Sequence, residues 1–101
     1  MKLLTKEILA RFPKLKETEG KAPEDVQVVA KFFTPWSNWT WYATEFDGVD
    51  EFFGYVSGFE KEFGYFTLSE LQSVKGPFGL GVERDLNFKG TLADVMQKEA
   101  A

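Results

Sequence analysis

Val26-Gln27-Val28-Val29-Ala30-Lys31-Phe32-Phe33-Thr34-Pro35-Trp36-Ser37-Asn38-Trp39-Thr40-Trp41-Tyr42-Ala43-Thr44-Glu45-Phe46-Asp47-Gly48 is the stretch on which the architecture turns. Val26, Val28, Ala30 and Phe32 fall on one side of a two-residue period, with Gln27, Val29, Lys31 and Phe33 on the other, as a strand over 26–33 requires. Thr34-Pro35-Trp36-Ser37-Asn38 interrupts that period with about five turn-forming residues, a common hairpin length. The alternation resumes over 39–46, Trp39, Trp41 and Ala43 opposing Thr40, Tyr42 and Thr44. Asp47-Gly48 is the strongest short-range turn signal in the chain. Beyond it, Phe52 to Ser57 reads as a third strand, Gly58 to Glu62 as a reversal, and Phe63 to Phe66 as a fourth strand.

Helices flank this meander. Thr5 is placed to cap a short first helix, with Leu4 and Leu9 as its hydrophobic staple, until Pro13 stops it. Residues 14–25 alternate charge around Gly20 and Pro23 and read as a solvated loop without chemistry. Thr67-Leu68-Ser69-Glu70 is a complete capping box with Phe66 and Leu71 as its staple, and Gly76-Pro77 ends that helix. The glycine-rich run to Gly81 reads as a loop, Glu83 to Phe88 as an added strand, and Thr91 with Asp94 as the start of a last helix. The expected fold is α+β, an antiparallel meander of about four to five strands with two or three short helices covering one face. At 101 residues, the chain is expected to form a single domain over 1–101.

Composition removes most chemistry. Without cysteine or histidine there is no thiolate nucleophile, no imidazole acid or base and no Cys/His zinc site. The serines have no activating partner, the Asp47-to-Glu51 run lacks EF-hand spacing, and the Gly76-x-x-Gly79-x-Gly81 run lacks the lysine of a phosphate loop. No catalytic residue, metal or cofactor is expected, and the protein is read as a non-enzyme. The net charge of −4 argues against direct nucleic-acid binding. No apolar run suits a membrane, and the polar, acid-bearing N-terminus does not suit a signal peptide, so a cytoplasmic location is expected.

Two asymmetries remain. Fourteen of the 17 aromatic residues lie between Phe32 and Phe66, more than one small core needs, and Trp36 and Trp39 at the turn are the best candidates for exposure. Between Phe32 and Val74 there are seven acids against the single Lys61, a local net of −6 that leaves +2 for the remainder. Glu45, Asp47, Asp50 and Glu51 crowd one turn, where mutual repulsion predicts that all four face solvent. With Glu60, Glu62, Trp36 and Trp39 they make a candidate partner-binding surface, acidic and flanked by aromatics.

The run Phe32 to Gly48, with Phe52-Phe53-Gly54, Gly64-Tyr65-Phe66-Thr67-Leu68-Ser69-Glu70-Leu71 and Gly81-Val82-Glu83-Arg84-Asp85-Leu86, resembles the signature of a small domain family of unknown function. Its members occur in bacteria, plasmids, conjugative elements and phages. Met1-Lys2-Leu3-Leu4-Thr5 fits the family's usual start, and the likeness covers nearly the whole chain. A protein similar to this one is described as an anti-CRISPR that inhibits type II Cas9. The resemblance therefore implies a non-enzymatic inhibitor in the cytoplasm of a bacterial host, with Cas9 or the Cas9–guide RNA complex as partner. Cas9 holds its nucleic acids in positively charged channels and reads the PAM with arginines, so an acidic surface suits such a partner. The alternative is an accessory nucleic-acid-binding module of conjugative or phage elements that stacks single strands on its aromatic sheet. The oligomeric state is left open by the strand edges.

Overall fold

The computed structural model describes residues 2–100, so the Met1 of the family-like start lies outside it. Strands β1 (Ala30–Phe33), β2 (Thr40–Phe46), β3 (Glu51–Ser57), β4 (Lys61–Thr67) and β5 (Glu83–Arg84) form one sheet in the order β4-β3-β2-β1-β5. Every pairing is antiparallel, and β5 closes the far edge against Phe32 and Phe33. Three helices accompany it: α1 (Lys6–Leu9), α2 (Leu68–Ser73) and α3 (Leu92–Ala100). The fold is thus α+β, with a five-stranded antiparallel meander.

Cross-strand register sorts the side chains onto two faces. Ala30, Phe32, Trp41, Ala43, Phe46, Phe52, Val56 and Phe66 share the first face. There they pack with Leu3, Leu4, Ile8, Leu68, Leu71 and Val82. Phe52 is the centre of this core, with ring centroids 4.4 Å from Phe46, 5.3 Å from Phe66 and 5.5 Å from Phe32. Tyr42 and Tyr55 lie on the second face with Val28, Phe88 and Val95 of α3. The helices therefore divide between the two faces, where the sequence predicted that all would cover one. Two half-cores of this kind explain why a small chain carries so many aromatics.

Local signals decide where the helices start. Thr67 Oγ1 accepts the Glu70 N–H at 3.0 Å, and Thr91 and Asp94 exchange reciprocal bonds of 2.9 and 3.2 Å. Thr5 caps α1, but the core takes Ile8 while Leu9 stays 40% exposed, so Leu4 and Leu9 do not both serve the core as a staple would.

Several strand boundaries move. Ladder pairing of the first strand starts only at Ala30, because Val26 and Val28 bond elsewhere: Val28 N–H to Gly90 O and Leu92 N–H to Val26 O. Lys61 and Glu62 belong to β4 and not to the turn, which shortens the connection to Gly58–Glu60. The expected strand over 83–88 stops after Arg84, and Leu86 is 66% exposed. In the glycine-rich loop the left-handed positions are Phe78 and Gly79, whereas Gly76 is small because a Cβ there would meet the Trp36 ring at 2.4 Å.

Candidate functional site

The carboxylates read from the sequence as one patch separate into three environments. Glu45 is buried, 3% exposed, which overturns the expectation that it faces solvent. A register shift between Ala43 and Glu45 turns its side chain onto the second face, opposite Phe53. There its carboxylate accepts the Lys16 N–H at 2.7 Å, the Thr18 N–H at 2.9 Å and the Thr18 hydroxyl. Repulsion from Asp47 and Glu51 is outweighed because three donors converge on it. The loop over 14–25 thus has a role the sequence did not suggest, supplying those donors.

Asp47, Asp50 and Glu51 sit at the β2–β3 turn. The exposed Asp47 accepts the N–H groups of Val49, Asp50 and Glu51 at 2.8, 2.8 and 3.0 Å, and these bonds lower its pKa below the ordinary carboxylate value. Asp50, half-buried, reaches α2 and accepts the Ser69 N–H at 2.9 Å and the Ser69 hydroxyl at 2.7 Å. These two acids complete the turn and the helix start. Glu51, half-buried, opens β3 opposite Thr67.

Glu60 and Glu62 lie at the other end of β3, roughly 20 Å away across seven residues. Both are exposed, and among the described residues neither forms an ion pair or a side-chain hydrogen bond. Lys61 between them points to the second face, where its ammonium reaches Glu99 Oε1 at 4.0 Å and bonds the Glu99 carbonyl. The same end of the sheet carries Trp39, stacked on Trp41 at 5.7 Å and meeting the ring of Phe59 edge-on at 5.4 Å. Phe59 is 95% exposed. Trp36 and Trp39, expected to be the exposed aromatics, are half-buried: Trp36 lies over Gly76, and Trp39 over Gly58, where a Cβ would come within 2.3 Å of its ring. Trp39, Phe59, Glu60 and Glu62 are thus brought together, with Trp36 in the neighbouring turn.

The second face holds what sequence reasoning missed. Glu99 of α3 accepts the Tyr42 and Ser57 hydroxyls, each at 2.7 Å. Burial pushes its pKa upward, but the bonds from Ser57 and Tyr42 and the Lys61 charge outweigh this and leave it below the ordinary value. Burial first, and then the bond to Glu99, hold the Tyr42 hydroxyl well above its ordinary value of 10.0. Beside this network Phe53, Tyr55, Phe63 and Tyr65 form a ladder of ring contacts, with Phe63 45% and Tyr65 53% exposed. Phe53, Phe63 and Tyr65 of the ladder floor a groove of about 350 Å³ walled by the 14–25 loop, whose rim carries Lys16, Lys21 and Glu19. Period-two alternation did put Phe63 and Tyr65 on one face, but only the tertiary placement of the loop leaves them uncovered. Among the described residues no group of carboxylates converges as a metal site, and no helix is long and apolar enough to cross a membrane.

A five-stranded meander with helices on both faces and exposed aromatic and acidic hairpins defines a small α+β domain with side chains suited to contact. Over residues 3–99 the chain matches the family described as "Protein of unknown function (DUF2958)", and it belongs to that family. Neither the curated proteins nor the solved structures contain a significant match.

Proposed function

We propose that the protein is a non-enzymatic inhibitor of type II CRISPR-Cas9 that docks on a basic surface of Cas9 or of the Cas9–guide RNA complex. The observation that carries this reading is the state of Glu60 and Glu62. Among the described residues both carboxylates stand without an ion pair, in the same hairpin as the exposed Phe59, because Lys61 between them is drawn to Glu99 on the opposite face. Unpaired charge beside exposed aromatic area favours association with a complementary surface over intramolecular stability. Asp47 and Glu51 extend the negative field at the far turn; Glu45 adds no contact surface. The partner itself comes from the resemblance of the 32–48 run and its extensions to a family with an anti-CRISPR member.

The test is a purified cleavage assay in which the protein is added to Cas9 before or after guide RNA and target DNA. Dose-dependent loss of cutting is expected, weakened by E60K/E62K in a folded variant, and the order of addition identifies the blocked surface. Unimpaired cutting by several orthologues sinks the reading. The aromatic ladder favours a second reading, stacking of single-stranded nucleic acid on Phe63 and Tyr65 beside Lys16 and Lys21. Absence of oligonucleotide binding at low ionic strength removes it.

A further inference from the structure

We propose that Phe59, Glu60 and Glu62, backed by Trp39, form a clamp for an arginine side chain presented by a protein partner. The inference rests on the reading above that this end of the sheet is the docking face, and it names the group that is docked. Glu62 stands in register with Val56 and Trp41 on the first face, one row from the turn that carries Phe59 and Glu60. That turn is closed by the Gly58 N–H bonding Glu60 O at 2.9 Å, so the backbone that carries Phe59 and Glu60 is set before binding.

The chemistry of the two kinds of group points to arginine. A guanidinium is planar and weakly hydrated, stacks on an aromatic face and pairs with carboxylates through a fixed fork of donors. Phe59, 95% exposed, leaves its ring almost wholly in solvent, and its contact with Trp39 is T-shaped at 82°. Both carboxylates are free to receive the fork. No cation of the chain serves this end among the described residues: Lys61 is held by Glu99, and the cation–π contacts present, from Lys31 to Tyr42 and Phe88, belong to the second face. A phosphate-bearing partner is repelled by the same carboxylates, and a lysine gains the charge but not the stacking.

The experiment is a titration of the isotopically labelled protein with a blocked Gly-Arg-Gly-Arg-Gly peptide and with its lysine twin, followed through the Trp39 indole N–H and the amides of residues 58–62. Saturable shifts confined to those signals are expected, with the arginine peptide binding about threefold or more tighter than the lysine twin. F59L, whose side chain lies in solvent, is expected to keep the fold and abolish that preference, while E60Q/E62Q weakens both peptides. Equal affinities, shifts centred elsewhere, or a preference that survives F59L overturn the clamp. The two proposals fail separately. Inhibition of Cas9 without arginine preference sinks the clamp alone. Arginine preference without inhibition of any tested Cas9 sinks the inhibitor reading and leaves a clamp for another arginine-bearing protein.

Discussion

The two hairpins that bound β3 are both acidic, and they use their carboxylates in opposite ways. At the β2–β3 end, Asp47 binds three N–H groups of its own turn, Asp50 binds Ser69 of α2, and Glu45 is buried against the 14–25 loop. At the β3–β4 end, the Glu60 and Glu62 carboxylates bind nothing within the described residues, and the aromatic beside them stands in water. The difference lies in which donors each end can reach. A turn rich in free N–H groups, a helix start and a loop backbone surround the first; the second meets a three-residue connection and a lysine already committed to Glu99. Carboxylates that look alike in the sequence therefore give structure at one end and available surface at the other.

Substitutions break the comparison in graded ways. Glu45→Ala has the largest expected effect, because it removes a buried charged acceptor and leaves the Lys16 and Thr18 N–H groups to find water, at a cost of about 2–3 kcal/mol. A fall in the urea midpoint and faster tryptic cleavage after Lys16 and Lys21 check it; unchanged cleavage would mean that the loop is held by something else. Gly58→Ala follows, at about 1–3 kcal/mol from overpacking against Trp39. Its signature is a changed Trp39 environment, and binding to the partner should fall with it while the β2–β3 end is untouched.

The second face gives a pH-dependent prediction. The folded Glu99 carboxyl ionises below its ordinary value of 4.5, so its contribution is present above that pH and is lost as pH falls through the folded pKa. The Tyr42 pKa is raised, so its contribution is present below pH 10.0 and is lost at more alkaline pH. Glu99→Gln should cost about 1–2 kcal/mol near neutrality and flatten the stability profile at both ends, as measured by urea midpoints across pH. Asp50→Ala is smaller, about 1 kcal/mol, the usual price of a lost helix cap, and it should fray α2 in hydrogen exchange without altering the other hairpin.

Legibility in the sequence followed the range of the forces involved. The Asp47-Gly48 turn, the Thr67 and Thr91 caps and the alternation of β2 as far as Ala43 and of β3 are set by residues within four positions of one another, and they stand where local rules put them. Glu45 was misread because its donors lie 27 and 29 residues upstream and because the register shift that turns it inward leaves no local mark. The half-burial of Trp36 and Trp39 depends on Gly76 and Gly58, whose missing side chains say nothing until the rings lie over them. Acidic and aromatic character was readable, but the sorting of spent from unspent side chains was a tertiary matter.

The smallest expected effect on stability carries the functional weight. Glu60→Gln with Glu62→Gln removes two exposed charges that have no ion-pair partner among the described residues, so stability read from the urea midpoint should move by less than about 0.5 kcal/mol. It should even rise slightly, since the −6 segment loses self-repulsion. Partner binding should fall steeply and lose much of its salt dependence, because rim charges act chiefly on association. Asp50→Ala gives the mirror image, reduced stability with binding retained. If the pattern reversed, with the glutamine pair destabilising the fold or leaving binding untouched, the β3–β4 end would be a solvated edge, and the contact surface would have to be sought on the aromatic ladder of the second face.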